Sequence, residues 1–469
     1  MSFYWHDDET FGIDAARDRA AQFAGMRTDE DLNPVGEPLV IYCRPAMDML
    51  PHPESCLVTG ITPQKAFEEG LPEALFISKI ERELAHPGTC GVGYNTIRFD
   101  DEFTRNLLYR NFHDPYAREW QNGCSRWDII DMMRLMRAFR PEGLEWPDQE
   151  DGRPSFRLED LTAANGISHE SAHDALSDVM ATIALARLAK RAQPRLFDYV
   201  YRYRDKRLVS GLLASRVPLV HVSSMYPSEF GCTALVLPVA LHPVNRNEVI
   251  VYDLRHDPAP LLELDPDEIR RRLFTPREQL DVERIALKSI HVNKCPIVAS
   301  AKLLTPEIAE RLMIDLEACF AHAAVLGAAI GLDGKLAEVY SGRDREAPGD
   351  PDLALYGGGF FGASDREKME MLRATAPSQL AALDLHFSDA RLPEMLFRYR
   401  ARNYPETLSP AEKGIWEKFR LERIAGANAS ISLAGYEEKI SGLREAGKSP
   451  EILDALEEWG RLVSGPSPG

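Results

Sequence analysis

The chain is poor in cysteine, has no long apolar run, and carries an overall deficit of positive charge. Its seven cysteines (43, 56, 90, 124, 232, 295 and 319) are never closer than thirteen residues, which excludes a zinc knuckle and a CxxC redox pair. Reduced, buried thiols are the expectation, Cys295 included. No stretch reaches the about 18 consecutive apolar residues of a membrane span. The opening MSFYWHDDET has acids where a signal peptide has bases, so a soluble, cytoplasmic, non-exported protein is expected. With 55 basic and 73 acidic residues the net charge is −18. Spread evenly, that charge would disfavour a nucleic-acid partner. It is uneven: nine bases (187, 190, 191, 195, 202, 204, 206, 207, 216) face only Asp198 and Asp205 between Arg187 and Arg216. A basic groove on an acidic body is therefore compatible with the composition. The 469 residues, 44% hydrophobic and 27% charged, exclude disorder as the main state and suggest about three domains.

The first ~185 residues alternate short apolar stretches with helical patterns, the texture of an α/β unit. SFYWHD and EPLVIYCRP read as strands, PQKAFEEGLPEALFISKIERELA as a helix, TCGVGYN as a strand and DDEFTRNLLYRNF as a helix. HESAHDALSDVMATIALARLAKRA is the clearest helix of the region, with bases at its C-terminal end, where the dipole favours them. From about 217 to 300, VPLVHVSSMY, TALVLPVALHP, NEVIVYDL and LKSIHVNKCPIV are β-branched and alternating, which predicts a β-rich second domain. SGRDREAPGDPD, 341–352, is the best linker, and the texture beyond it is helical. Ser364 with Glu367, Ser409-Pro410 with Glu412, and Ser449-Pro450 with Glu451 read as helix starts. The glycine run Tyr356–Gly362 lacks the G-K-[ST] ending of a phosphate loop and reads as the lead into the helix at Ser364. In PEILDALEEWGRL, Ile452, Leu453, Leu456 and Trp459 share one face, predicted to meet the core.

Three features could carry chemistry. Asp7 and Glu9 end an apolar strand pattern, and residues two apart on a strand share a face, so the two carboxylates converge while Asp8 points away. Two such oxygen donors suit a hard divalent cation, although D-x-E at a strand end also occurs as a solvated turn. Asn95-Thr96-Ile97-Arg98-Phe99-Asp100 follows the strand CGVGY, and an acid there also reads as a helix cap. His173 precedes Asp178 by five residues. On one regular helix they would stand about 140° apart, so they converge only if His173 lies before the helix and Asp178 inside it. Taken alone, such a histidine also reads as structural.

In order, a carboxylate pair on the first strand, N-x-x-x-F-D and H-x-x-x-x-D resemble the three motifs of the DEDD exonucleases, histidine subclass, on a ribonuclease H-like fold. HDDETFG, GYNTIRFDDEFTRN, SRWDIID, PSFRLEDL, AHDALSDV, QPRLFDY, HPVNRN, HVNKCP and YRARNYP are similar to the bacterial exonuclease I family from about residue 3 to about 420. The resemblance implies a ribonuclease H-like α/β domain over 1–186, an SH3-like β-rich domain over 192–345 and a helical domain over 350–465. It also implies processive 3′→5′ removal of 5′-mononucleotides from single-stranded DNA in repair and recombination.

The motif residues are Asp7, Glu9, Asp100 and Asp178 as ligands of two magnesium ions, about 3.5–4 Å apart in such sites, with His173 as general base. Manganese accepts the same oxygen ligands. Four gathered carboxylates repel one another and imply the cation. By motif match, Glu9 and Arg157 meet the substrate near the scissile phosphate. Arg105, Tyr116, Trp120, Arg134, Arg140, Tyr199, Lys206 and Asn247 follow the DNA path, bases neutralising phosphates and aromatic rings stacking on nucleobases. The family further implies a monomer and a partner, the single-stranded DNA-binding protein, whose acidic tail is assigned to a surface with Arg140 and Tyr199.

Asp8 departs from the aromatic or aliphatic residue usual at that position, and the chain from Gly426 onward matches least. Two other readings share these motifs: a DEDD exoribonuclease, and a catalytically silent single-strand clamp. The two extra domains favour the DNA enzyme over the first, and the full set of active-site residue types argues against the second.

Overall fold

The central strand β1 (Ser2–Thr10) is hydrogen-bonded on both sides, antiparallel to β2 (Ala20–Thr28) and parallel to β4 (Thr89–Gly93). That position explains its run of Phe3, Tyr4 and Trp5, all nearly inaccessible, since a strand covered on both faces needs apolar residues at successive positions. β3 (Leu39–Tyr42) and β5 (Ser125–Asp128) complete a mixed sheet of order β3-β2-β1-β4-β5. The computed structural model describes residues 2–169, 174–342 and 348–466.

The chain packs as two compact units. One comprises Met1–Ser125, His169–Ile183 and Arg345–Gly469, the other Arg126–Ser168 and Ala184–Asp344. This grouping differs from three consecutive segments because the C-terminal helices join the N-terminal sheet region. Ile424, Tyr436, Leu453, Leu456 and Trp459 share one apolar cluster with Phe11, Met49, Leu50, Cys56 and Ile61, and the face predicted for Leu453, Leu456 and Trp459 does meet this core. Beside it, Asp48, Asp350 and Asp352 meet Arg398, Arg402 and Arg423 in a buried network of three acids and three bases.

The second unit carries an antiparallel sheet of β6 (Leu219–Val222), β7 (Thr233–Leu241), β8 (Glu248–Asp253), β9 (Leu287–His291) and β10 (Ile297–Ser300), in the order β10-β6-β7-β8-β9. Val220, Val222, Val236, Val251 and Ile290 are buried. Pro238 is accommodated in β7 beside a register shift, where the ladder does not require its missing N–H.

Several local expectations change. AAQFAGMRT forms β2, which the sequence pattern did not signal because its residues are buried almost throughout and show no alternation. The helix expected over PQKAFEEGLPEALFISKIERELA is two, Pro63–Glu69 and Glu73–Leu84, broken where Gly70 and Pro72 interrupt the ladder. Ser364 lies inside the helix Ala363–Ala374, whose N-cap is Gly362. Ser409 and Glu412 form the full reciprocal capping box, whereas Ser449 is an N-cap without a side-chain bond. Part of the expected linker, 343–347, lies outside the described residues. Six cysteines are buried, but Cys295 is half-buried, its Sγ 3.2 Å from the Arg126 carbonyl. No single helix among the described residues is long and apolar enough to cross a membrane.

Candidate active site

β1 and β4 are paired from Ser2/Thr89 to Trp5/Val92, and beyond that pairing the carboxyl end of β1 delivers Asp7 and Glu9 to one face. The carboxyl ends of parallel strands are where such sheets bind ligands. β4 then turns sharply: Asn95 has a φ of 63° and starts the short turn Thr96–Arg98, after which the helix Asp100–Arg110 begins. Gly93 is needed here, because a Cβ would lie 2.9 Å from the His6 carbonyl oxygen and 2.9 Å from Thr96 Cβ. The turn brings Asp100 against β1, where its Oδ1 accepts the Asp8 backbone N–H at 3.0 Å. Asp100 is therefore the first residue of its helix, and its carboxylate receives a bond from the neighbouring strand.

Asp178 comes from the first turn of the helix Ala175–Ala192. Asp174 caps that turn, its Oδ2 accepting the Ser177 N–H at 3.2 Å, and the Ala175 N–H donates to Gln22 Oε1 on β2 at 3.4 Å. One carboxylate oxygen each from Asp7, Glu9 and Asp178 lie within 4.8 Å of one another. His173 lies outside the described residues. His169 does not, and its Nε2 is hydrogen-bonded to Asp178 Oδ1. Sequence reasoning missed this residue; the available signal was a second histidine in the segment S-H-E-S-A-H-D.

The electrostatics are those of a cation site. Burial pushes the Asp7 carboxyl well above the usual range, and Asp100, Glu9 and Asp178 push it further. Glu9 is raised to about 8 by burial and then by Asp178 and Asp100. Asp100 is raised to about 7 by burial, against the lowering effect of the Asp8 N–H. The charges acting most strongly on Asp7 and Glu9 are all carboxylates. A divalent cation bound by hard oxygen donors is the group whose charge and ligand preference fit this set.

Asp8 faces the opposite side of β1, as expected. It is 4% exposed, and neither carboxylate oxygen has a hydrogen-bond partner among the described residues. Burial and Asp100 raise its pKa well above the ordinary value, with Arg118 opposing.

The residues expected along the DNA differ in setting. In the first unit Trp120 is 66% exposed. Arg105 is buried, bidentate to Glu119 at 2.7 and 2.8 Å, 3.0 Å from Glu102, and stacked on the Tyr116 ring. In the second unit the Arg157 side chain is 70% exposed and 3.7 Å from Glu159. Arg140 and Lys206 are exposed, with Lys206 bonded to Asn247. Arg134 is buried against Asp131, and Tyr199 donates to the Val298 carbonyl at 2.9 Å.

Comparison with known proteins agrees with this geometry. The exonuclease family model of the RNase T type matches residues 4–186, the exonuclease I SH3-like domain 204–342 and the exonuclease I C-terminal domain 349–463. The chain is 49% identical to exodeoxyribonuclease I of Escherichia coli K12 over 423 residues, 89% of each protein. The moderately thermophilic exonuclease I from Methylocaldum szegediense superposes with a TM-score of 0.94 at 52% identity, over 99% of this chain and 100% of that one. A zinc-bound form of an E. coli exonuclease I complex with single-stranded DNA gives 0.94 at 44%, over 99% and 100%. With an RNase T-type mixed sheet, an SH3-like antiparallel sheet and a helical C-terminal region in family order, the chain belongs to the exonuclease I family of exodeoxyribonucleases, hydrolases that degrade single-stranded DNA from its 3′ end.

Proposed function

We propose that Asp7, Glu9, Asp100 and Asp178 hold two magnesium ions, or manganese in their place, and that this centre removes 5′-mononucleotides processively from the 3′ end of single-stranded DNA. The observation that carries the reading is the convergence of Asp7, Glu9 and Asp178 oxygens within 4.8 Å in a set of mutually repelling carboxylates, Glu9 buried and Asp7 and Asp178 half-buried. When bound, the cations supply a water acidic enough to attack phosphorus at neutral pH and stabilise the leaving oxygen.

The chain's own groups do the rest. The Asp8 N–H orients Asp100, His173 accepts the attacking water's proton, and Glu9 and Arg157 address the 3′-terminal nucleotide. Trp120 offers a stacking face. Arg140 and Lys206, exposed on the second unit, neutralise phosphates. Arg105, Tyr116, Arg134, Tyr199 and Asn247 shape this path, Arg105 chiefly by holding Tyr116 and Glu119 in place.

The nuclease segment is assigned to 1–186, the SH3-like segment to 192–345 and the helical segment to 350–465. The enzyme is read as a cytoplasmic monomer in repair and recombination. Its partner is the single-stranded DNA-binding protein, with Arg140 and Tyr199 on the surface that takes the partner's acidic tail.

The test follows a 5′-labelled single strand with magnesium or EDTA, for wild type and Asp178→Ala. Shortening from the 3′ end by wild type with magnesium alone supports the reading. A strand bound but left intact in magnesium overturns it and makes the chain a clamp, and equal cleavage of an RNA strand would make it an exoribonuclease.

A further inference from the structure

We propose that His169 is a positioning residue for the metal centre: its imidazole holds the Asp178 carboxylate in the orientation in which it ligates the cation. The inference rests on the metal reading above. The hydrogen bond joins His169 Nε2 to Asp178 Oδ1, and the pair is sheltered, with side-chain exposures of 5% and 16%. Asp178 stands in the first turn of its helix, so the backbone places its Cα and Cβ but leaves the carboxylate plane to turn about χ2, a broad, roughly two-fold torsion. Engaging one oxygen fixes that plane. The ligand oxygen within 4.8 Å of Asp7 and Glu9 is then located by the imidazole as well as by the helix.

The charge balance points the same way. The cluster brings carboxylates to bear on carboxylates, and a donated N–H on Asp178 draws off negative charge without occupying a cation's place. Hydrogen-bond partners of ligating groups typically set metal affinity or activity within about 10–100-fold. His169 is thus distinct from His173, to which proton transfer is assigned.

The test reads metal binding apart from turnover. Manganese binding to the full-length chain without DNA is titrated by electron paramagnetic resonance for wild type, His169→Ala and His169→Gln, whose amide N–H can reach the Nε2 position. Single-strand affinity in EDTA and thermal melting are measured in parallel. The expected result is manganese binding weakened about 10–100-fold in His169→Ala, most of it recovered in His169→Gln, with single-strand affinity unchanged. Should His169→Ala not fold, His169→Phe keeps a ring without the donor and takes its place. Manganese binding at wild-type strength in the donor-less variant overturns the inference, and loss of turnover with that binding intact would move His169 into the reaction itself. If wild type binds no manganese, the metal reading fails first and the inference with it.

Discussion

Arg402 and Asp48 stand 354 residues apart in the chain and meet as a buried ion pair, Nη2 to Oδ2 2.7 Å, with side-chain exposures of 5% and 0%. Asp352 accepts from the same Nη2 at 2.7 Å. Removing Arg402 leaves three buried carboxylates, Asp48, Asp350 and Asp352, facing only the two guanidiniums of Arg398 and Arg423. Arg402→Ala is expected to cost about 3–5 kcal/mol, read as a shift of the urea midpoint at pH 7. Arg402 and Arg423 hold the Asp48 carboxyl below the usual range in spite of burial. A depressed acid contributes stability above its unfolded pKa and loses it as pH falls, so stability plotted against pH below about 4 should be shallower in Asp48→Asn than in wild type.

Asp8 has the opposite sign. Its folded pKa is raised by burial first, so its contribution is fully present below the ordinary carboxylate pKa and is lost as pH rises above it. Asp8→Leu is expected to stabilise the protein by about 1–3 kcal/mol at pH 7, with the gain shrinking towards pH 3. Chemical denaturation in EDTA at the two pH values checks this, and magnesium-dependent turnover should stay near wild type because the side chain faces away from the ligands.

The raised carboxyls make cation binding compete with protons. Glu9 at about 8 and Asp100 at about 7 are largely protonated at pH 6 without metal. The magnesium concentration for half-maximal rate should therefore fall as pH rises from 6 to 8, by roughly tenfold per pH unit for each proton displaced. A magnesium titration at each half unit of pH measures it, and a flat response would show that the ligands are already ionised.

Trp120 and Arg105 separate contact from scaffold. Trp120→Ala removes an exposed ring and is expected to weaken single-strand binding by about 1–3 kcal/mol with little change in melting temperature. Arg105→Ala removes a buried guanidinium that pairs with Glu119 and Glu102 and should destabilise the fold by about 3–5 kcal/mol. Fluorescence anisotropy with a labelled oligonucleotide, paired with thermal melts, distinguishes the two.

The convergence of Asp7 and Glu9 was legible in the sequence because strand periodicity alone puts them on one face, and the four β-rich stretches that hold the five strands of the second unit were legible from their β-branched, alternating texture. β2 was not, because a strand covered on both faces loses the alternation that marks one. The partition of Arg105 from Trp120 was not legible either: both match the family in residue type, and only the positions of Glu102 and Glu119 show that one is enclosed. His169 escaped for a similar reason, since a histidine's partner nine residues on becomes its neighbour only once the chain turns into the helix.

The apolar cluster that joins residues 11–66 to residues 424–463 sets a schedule for synthesis. Phe11, Met49, Leu50 and Ile61 leave the ribosome some 400 residues before the helices that cover them, an interval of about 20–80 s at 5–20 residues per second. During that time the apolar residues between 11 and 66 stand uncovered beside the catalytic sheet. The nascent enzyme is thus a natural client for chaperones, and a messenger truncated before the last two helices yields aggregation-prone product in place of a smaller working nuclease.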